Sequence, residues 1–279
     1  MDVWVDGKYQ PLDSPAVSAR DRGFLHGEAV YEGVKITGRR PLFLEAHVNR
    51  LMESARAIGI EVAVDAAGLR PIMGRLLESF GGDDAMARLY WTRGPADGQA
   101  AALAWVEPLP PCSLPETPPW RLVSHAERLV PYMPAVKHTS RLAHARARRQ
   151  AREAGTDDAL LVHADGWVLE GTASNVFFFE ADTLHTPEKG CGILPGITRD
   201  VVLDLAPRCG FKTVEGRYPV PVLAAADECF LTFTSAGIKP VAFLDGETFP
   251  EPVPGRRTAR LRAAYDAHVA GALADTEPL

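Results

Sequence analysis

Glu107-Pro108-Leu109-Pro110-Pro111-Cys112-Ser113-Leu114-Pro115-Glu116-Thr117-Pro118-Pro119-Trp120 is the stretch that decides how the chain is organised. Proline fixes φ and removes a backbone donor, so six prolines in this span exclude a helix and a central strand. What remains is a stiff linker. The expected division is a small N-terminal α+β domain over 1–107, a linker over 108–119 and a larger domain over 120–279.

Outward toward the N-terminus, Ala87 to Arg93 alternates as a strand closed by Gly94, and Asp65 caps a helix running to about Ser79, with Pro71 marking a kink or a later start. From Glu45 to Ile58 the apolar Val48, Leu51, Met52, Ala55 and Ile58 follow helical spacing, and Gly59 stops the run. Tyr31 to Gly38 reads as a hairpin arm whose return is Pro41-Leu42-Phe43, and Asp6-Gly7 turns an opening hairpin over Trp4 to Tyr9. Outward toward the C-terminus a strand near Arg121 to Val123 leads through Pro131-Tyr132-Met133-Pro134 to Ala135-Val136-Lys137. Thr139 or Ser140 then caps a long helix ending at Gly155. Ala159 to His163, Trp167 to Leu169 and Asn175 to Phe179 read as a meander, with Asp165-Gly166 as one turn. Helices over about Thr198 to Ala206 and Gly255 to Leu273 flank a buried strand, Cys229 to Phe233, and a hairpin at Asp245-Gly246. There is no internal repeat, and strands interleaved with helices in both halves predict an α+β protein.

Composition narrows the function classes. The 279 residues are 46% hydrophobic and 24% charged, which is ordinary globular usage. A net charge of −6 provides no basic field for phosphate backbones, so no nucleic-acid partner is expected. The cysteines at 112, 191, 209 and 229 form no C-x-x-C and predict no metal site. Met1 to Asp6 lacks a basic segment followed by an apolar one, and no apolar run approaches the roughly 20 residues of a membrane span, so a cytoplasmic protein without a membrane partner is expected.

Among six lysines and twenty-four arginines, Lys137 draws attention because it follows an apolar dipeptide at the mouth of the expected helix. Burial and a positive helix end both lower an amine's pKa, and a neutral amine forms a Schiff base with an aldehyde. On local sequence alone a surface lysine beside a basic helix is the commoner reading. Glu170 ends a strand beside Gly171, either lining a site or satisfying a turn. Leu194-Pro195-Gly196-Ile197-Thr198 opens a helix whose first N–H groups suit a phosphate, or is a plain Thr198-capped start. Arg50 is bracketed by apolar helical residues and could turn onto an anion, although a solvated arginine is commoner. Thr234-Ser235-Ala236-Gly237 closes a buried strand with two hydroxyls, a further anion contact or an ordinary turn. The chain has no G-x-G-x-x-G after a strand, no G-x-x-x-x-G-K-[ST], no G-x-S-x-G and no H-E-x-x-H.

Taken in order, these pieces resemble the class IV aminotransferases, fold-type IV enzymes of pyridoxal 5′-phosphate (PLP) that include D-amino-acid, branched-chain and (R)-amine transaminases and aminodeoxychorismate lyase. The resemblance runs from about Asp21 to Val241. It rests on Asp21-Arg22-Gly23-Phe24-x-x-Gly27-x-x-Val30-Tyr31-Glu32, His47-x-x-Arg50-Leu51, Lys137, Glu170-Gly171-x-x-x-Asn175-Val176-Phe177, Leu194-x-Gly196-Ile197-Thr198-Arg199 and Thr234-Ser235 with Pro240-Val241. It implies two domains with the cofactor in the cleft between them, the larger C-terminal one binding PLP, and a homodimer in which the neighbouring subunit completes the pocket. By the resemblance, Lys137 carries the cofactor and shuttles the proton at the substrate Cα, and Glu170 pairs with the pyridine nitrogen. Arg50, Ile197, Thr198 and Thr234 hold the phosphate, Leu194 packs on the ring, and Ser235 and Ala236 meet the substrate.

The strand period puts Tyr31, Gly33 and Lys35 on one face and Arg88, Tyr90 and Thr92 on one face of the next strand. In the family these strands line the substrate pocket. The Arg-x-His carboxylate clamp of familiar D-amino-acid enzymes is missing from Pro95-Ala96-Asp97-Gly98-Gln99, which leaves Arg88, Lys35 and Lys239 as the cations placed for a carboxylate. Tyr31-Glu32-Gly33 resembles the branched-chain enzymes, and Lys137-His138-x-x-Arg141-Leu142 the lyases, with Ser140 where those commonly carry Asn. The resulting expectation is a transaminase moving an amino group from a D-amino acid to 2-oxoglutarate or pyruvate. Aminodeoxychorismate lyase and branched-chain or (R)-amine transaminase are its alternatives.

Overall fold

The structure, a computed structural model, describes residues 1–13, 17–62, 64–96, 98–114 and 117–279. Asp97 of the loop after Gly94 and Pro115 and Glu116 of the proline-rich stretch lie outside the described residues. Two compact units interleave along the chain: Met1–Pro111, Val136–Ser140 and Val269–Leu279 form the first, Cys112–Ala135 and Arg141–His268 the second. The expected division was linear. The short segment carrying Lys137 joins the N-terminal unit because Tyr31 N–H donates to the Lys137 carbonyl (3.0 Å) and Thr139 N–H to the Ala29 carbonyl (2.9 Å). The chain end joins it too, through Leu279 N–H to the Arg39 carbonyl (2.8 Å) and Arg40 Nε to the Thr276 carbonyl (3.0 Å).

In the first unit the elements are β1 (Asp2–Val5), β2 (Lys8–Pro11), α1 (Arg22–His26), β3 (Ala29–Thr37), β4 (Arg40–Pro41), α2 (Leu44–Ala57), α3 (Ala66–Phe80), β5 (Ala85–Thr92) and β6 (Ala101–Glu107). Among the described residues the sheet order is β2-β1-β6-β5-β3-β4, antiparallel throughout. Alternation decides its faces. Val30, Val34 and Ile36 of β3, Ala87, Leu89 and Trp91 of β5 and Ala104 and Val106 of β6 are buried in one core with Leu51 of α2 and Leu69, Met73 and Leu77 of α3. Tyr31 and Lys35 alternate with these and stay half-buried. Strand β6 is absent from the sequence expectation: its alanines are weak strand formers, and pairing to β1 and β5 overrides that preference. Helix α3 starts at Ala66, ahead of Pro71, with the Asp65 carboxylate accepting from Gly68 N–H at 2.8 Å.

The second unit holds β7 (Trp120–Ser124), α4 (Leu142–Glu153), β8 (Asp158–Val162), β9 (Val168–Gly171), β10 (Asn175–Glu180), β11 (Thr183–Pro187), α5 (Ile197–Leu205), β12 (Lys212–Gly216), α6 (Val220–Ala224), β13 (Glu228–Phe233), β14 (Gly237–Leu244) and β15 (Glu247–Thr248), and it includes α7 (Arg256–Ala274) as far as His268. Its sheet runs β12-β11-β10-β13-β14-β7-β8-β9, with β15 on β14. The expected meander is corrected: β9 pairs with β8, whereas β10 pairs with β11 and β13. The stacked Phe177 and Phe230 rings and the Val176–Leu231 register match β10 to β13, a partner far away in sequence. The helix cap is corrected as well. Helix α4 begins at Leu142 after an Arg141 cap without a side-chain bond, because the Thr139 and Ser140 hydroxyls donate to the Gly27 carbonyl (3.3 and 3.1 Å) instead.

Candidate active site

Lys137 lies in an extended segment bridged to β3 at Val30 and His138, not at a helix mouth. The helix-dipole reason for an activated amine therefore falls away, because α4 starts five residues further on and the intervening backbone is bonded to β3. Two contacts place Lys137 in this segment. Its N–H donates to Ser54 Oγ of α2 at 3.1 Å, and its Nζ stands 4.6 Å from the centre of the Tyr31 ring. Tyr31 is one end of an aromatic ladder in which Tyr31 stacks on Tyr90 (5.4 Å between centroids) and Tyr90 on Trp105 (5.1 Å). The register that pairs Tyr31 with Tyr90 and Gly33 with Arg88 builds this ladder across β3, β5 and β6. Arg88 stands on β5 next to it and pairs with Glu107 at 2.7 Å, while Lys35 is half-buried on the ladder's face of β3.

Glu32 alternates to the opposite face of β3 and is fully buried. Arg50 of α2 donates Nε (2.6 Å) and Nη2 (3.0 Å) to its two carboxylate oxygens, and His47 Nδ1 lies 2.8 Å away, the helical (i, i+3) spacing bringing both side chains onto Glu32. Burial alone would raise the Glu32 carboxyl; the Arg50 guanidinium and His47 outweigh it and hold the group well below the carboxylate range. Burial lowers His47, against the pull of Glu32, so its ring is neutral with the proton on Nδ1 toward the carboxylate. Sequence reasoning quoted Glu32 and His47 only as parts of motifs. The signal that finds them is a glutamate on the core face of a strand, a place no carboxylate occupies without partners.

In the second unit Glu170 is the penultimate residue of β9, and its Oε2 accepts from Asn175 Nδ2 (3.0 Å) and from Leu194 N–H (3.1 Å). Asn175 also donates to the Leu194 carbonyl at 3.0 Å, so one amide fixes both Glu170 and the approach to α5. Gly196 is the N-cap of α5 and makes no side-chain cap bond. A Cβ on Gly196 would stand 2.0 Å from Asn175 Oδ1, so any larger residue here must displace the Asn175 side chain. Ile197 and Thr198 form the first turn of the nine-residue helix, with Thr198 buried, and the turn is anchored by fully buried Arg199, which donates to the Pro187 carbonyl at 3.0 Å and to Glu215. Thr234, Ser235 and Ala236 form the turn between β13 and β14, with Ser235 buried. Lys239 stands apart from its expected role: its ammonium is buried and donates to Thr117 Oγ1 and to the Thr117 carbonyl (3.3 Å). Asn175 and Arg199 were missed as positioning residues because what they hold lies 5 to 19 residues away across strand and loop boundaries.

These donor sets fit a phosphorylated pyridine aldehyde. In the second unit the uncapped start of α5 offers N–H groups of the kind that suit a phosphate, and a carboxylate held by two N–H donors suits a protonated ring nitrogen; in the first unit Lys137 offers an amine. Among the described residues no group of three or more His, Cys, Asp or Glu could hold a metal ion, and no helix is long and apolar enough to cross a membrane.

The family model for amino-transferase class IV matches residues 29–243, and the chain belongs to that family of PLP-dependent enzymes. A Bacillus licheniformis D-alanine aminotransferase is 30% identical over 99% of this chain and 100% of its own. A Methanocaldococcus jannaschii protein with the provisional name branched-chain-amino-acid aminotransferase is 32% identical over 95% of each chain. The Thermoproteus uzoniensis branched-chain aminotransferase, solved with norvaline, superposes with a TM-score of 0.89 at 27% identity, covering 100% of this chain and 99% of its own. The fold is thus the two-domain α+β fold of type IV PLP enzymes, and the chain is an aminotransferase.

Proposed function

We propose that this aminotransferase moves an amino group between a D-amino acid and 2-oxoglutarate or pyruvate, working as a cytoplasmic homodimer. The observation that carries the reading is Lys137 Nζ on the Tyr31 ring, at one end of a ladder flanked by Arg88, a cation suited to a substrate carboxylate. Full-length similarity to a D-alanine aminotransferase supports the D-amino acid. PLP supplies an aldehyde that takes up the amino group and a ring that accepts electrons. Arg50 and Lys137 of the first unit, and Glu170, Leu194, Ile197, Thr198 and Thr234 of the second, would hold it. Lys137 Nζ would carry the proton between the substrate Cα and the carbon of the cofactor aldehyde, and Glu170 would keep a proton on the ring nitrogen. Tyr31, Lys35, Arg88, Ser235 and Ala236 orient the substrate. Lys239, the remaining cation of that set, is bonded to Thr117.

A second reading, an L-branched-chain donor, is favoured by the stacked Tyr31, Tyr90 and Trp105, an apolar wall suited to an aliphatic side chain, and by the likeness to the T. uzoniensis enzyme. The test is a donor panel of D-alanine, L-leucine and (R)-1-phenylethylamine against 2-oxoglutarate, with both keto products quantified. Turnover of D-alanine but not L-leucine is expected. Turnover of L-leucine alone overturns the D-amino-acid reading, and pyruvate released from aminodeoxychorismate without an acceptor would point to a lyase.

A further inference from the structure

Tyr265 lies on α7, outside every motif of the sequence, and it is buried. A buried phenol needs a polar partner, because leaving its hydroxyl unpaired in the interior is costly. The partner is the Thr198 side chain in the first turn of α5, with which Tyr265 makes a side-chain hydrogen bond. The ring of the same residue lies under a second turn. Gly237, which closes the Thr234–Gly237 turn, has φ +68° and no side chain, and a Cβ there would stand 2.5 Å from Tyr265 Cε1 and 3.1 Å from Cδ1. One aromatic side chain thus touches both turns: its hydroxyl reaches the start of α5, and its ring packs against the turn between β13 and β14. Burial pushes the Tyr265 hydroxyl up to about 12, opposed by the Thr198 bond, so it stays protonated throughout the working range.

We propose that Tyr265 is a positioning residue for the cofactor phosphate, fixing the distance between the first turn of α5 and the Thr234–Gly237 turn through its bond to Thr198 and its packing against Gly237. This rests on the reading that Thr198 and Thr234 hold the phosphate. Tyr265 touches neither the phosphate nor the reacting atoms, so its removal acts on cofactor affinity rather than on the chemical step.

The experiment compares wild type, Tyr265→Phe, Thr198→Val and the double variant as full chains stripped of cofactor and titrated with PLP. The apo thermal midpoint and the 31P chemical shift of the bound phosphate are recorded alongside. Tyr265→Phe keeps the ring over Gly237 and deletes one hydrogen bond, so PLP Kd should rise about 2- to 10-fold, with a shifted 31P resonance and unchanged kcat at saturating PLP. The double variant should be no weaker than Thr198→Val, because both remove the same bond. If Thr198→Val weakens PLP and Tyr265→Phe does not, the proposal is overturned while the phosphate reading stands. If Thr198→Val is itself neutral, the phosphate reading of α5 fails and the proposal with it. A Tyr265→Phe variant that loses apo stability but keeps the wild-type Kd and 31P shift shows a purely structural tyrosine and also overturns the proposal. Gly237→Ala provides an independent arm, since its Cβ must displace the ring: weaker PLP binding with the donor KM unchanged supports the proposal, and wild-type affinity overturns it.

Discussion

Glu32 keeps its charge at a fully buried position because Arg50 and His47 both face it, and this makes the pair a point of acid sensitivity. His47 is held neutral below its ordinary 6.5, so below that pH the unfolded chain binds a proton that the folded chain refuses. Stability then falls as pH falls, by up to about 1.4 kcal/mol per pH unit. Glu32 is depressed, so its contribution is present above the ordinary carboxylate value of 4.5 and is lost as pH drops below it. Urea unfolding between pH 7 and 5 should therefore show a decline that His47→Gln flattens; an equal decline in the variant would assign it elsewhere. Arg50→Ala leaves a buried carboxylate without its guanidinium and is expected to cost about 3 to 5 kcal/mol, measured by the same unfolding curves. Glu170→Gln keeps a side chain of the same shape beside Asn175 and Leu194 but cannot hold a proton on the ring nitrogen. It should retain PLP and lose turnover by about 100-fold or more, and unchanged turnover would remove Glu170 from the chemistry.

At the scale of elements, the start of α5 concentrates the most constraint in the fewest atoms. Gly196→Ala places a Cβ 2.0 Å from Asn175 Oδ1, so Asn175 must move and take its bonds to Glu170 and Leu194 with it. The expected outcome is a folded protein by circular dichroism with weakened PLP affinity and low turnover. Wild-type activity in this variant would show that Asn175 does not fix Glu170. The helices were largely legible in the sequence: Glu45 to Ile58 is observed as Leu44–Ala57 and Gly255 to Leu273 as Arg256–Ala274, because apolar spacing and glycine stops are local signals. Strand partners were not, since β10 finds β13 and β6 finds β1 across long stretches of chain. The cap at Thr139 and Ser140 was misread because both hydroxyls are used by carbonyls of Gly27 and Ala29, which no neighbouring residue announces. Lys137, Glu170 and Gly196 could be picked out by residue type and order. Their supports, Ser54 and Asn175, depend on contacts that only folding creates.

At the scale of the whole molecule, each unit displays large apolar side chains to solvent. Phe24 (75% exposed) and Leu25 (53%) stand on α1 in the first unit, and Val130 (75%), Tyr132 (81%) and Leu142 (76%) in the second. Large apolar side chains left open to solvent suit an association surface, which supports the proposed homodimer. Sedimentation equilibrium should give twice the chain mass, and Phe24→Asp with Leu25→Asp should shift it toward the monomer. A wild-type monomer with full activity would refute the dimer. The most direct test of the central claim, that Lys137 is the residue bearing the cofactor, is borohydride reduction of the PLP-loaded protein followed by peptide mapping. Borohydride makes a lysine–cofactor bond permanent, so the phosphopyridoxyl group should be found on the peptide containing Lys137 and nowhere in Lys137→Ala. Modification of Lys35 or Lys239 in the wild-type protein, with Lys137 left untouched, would contradict it.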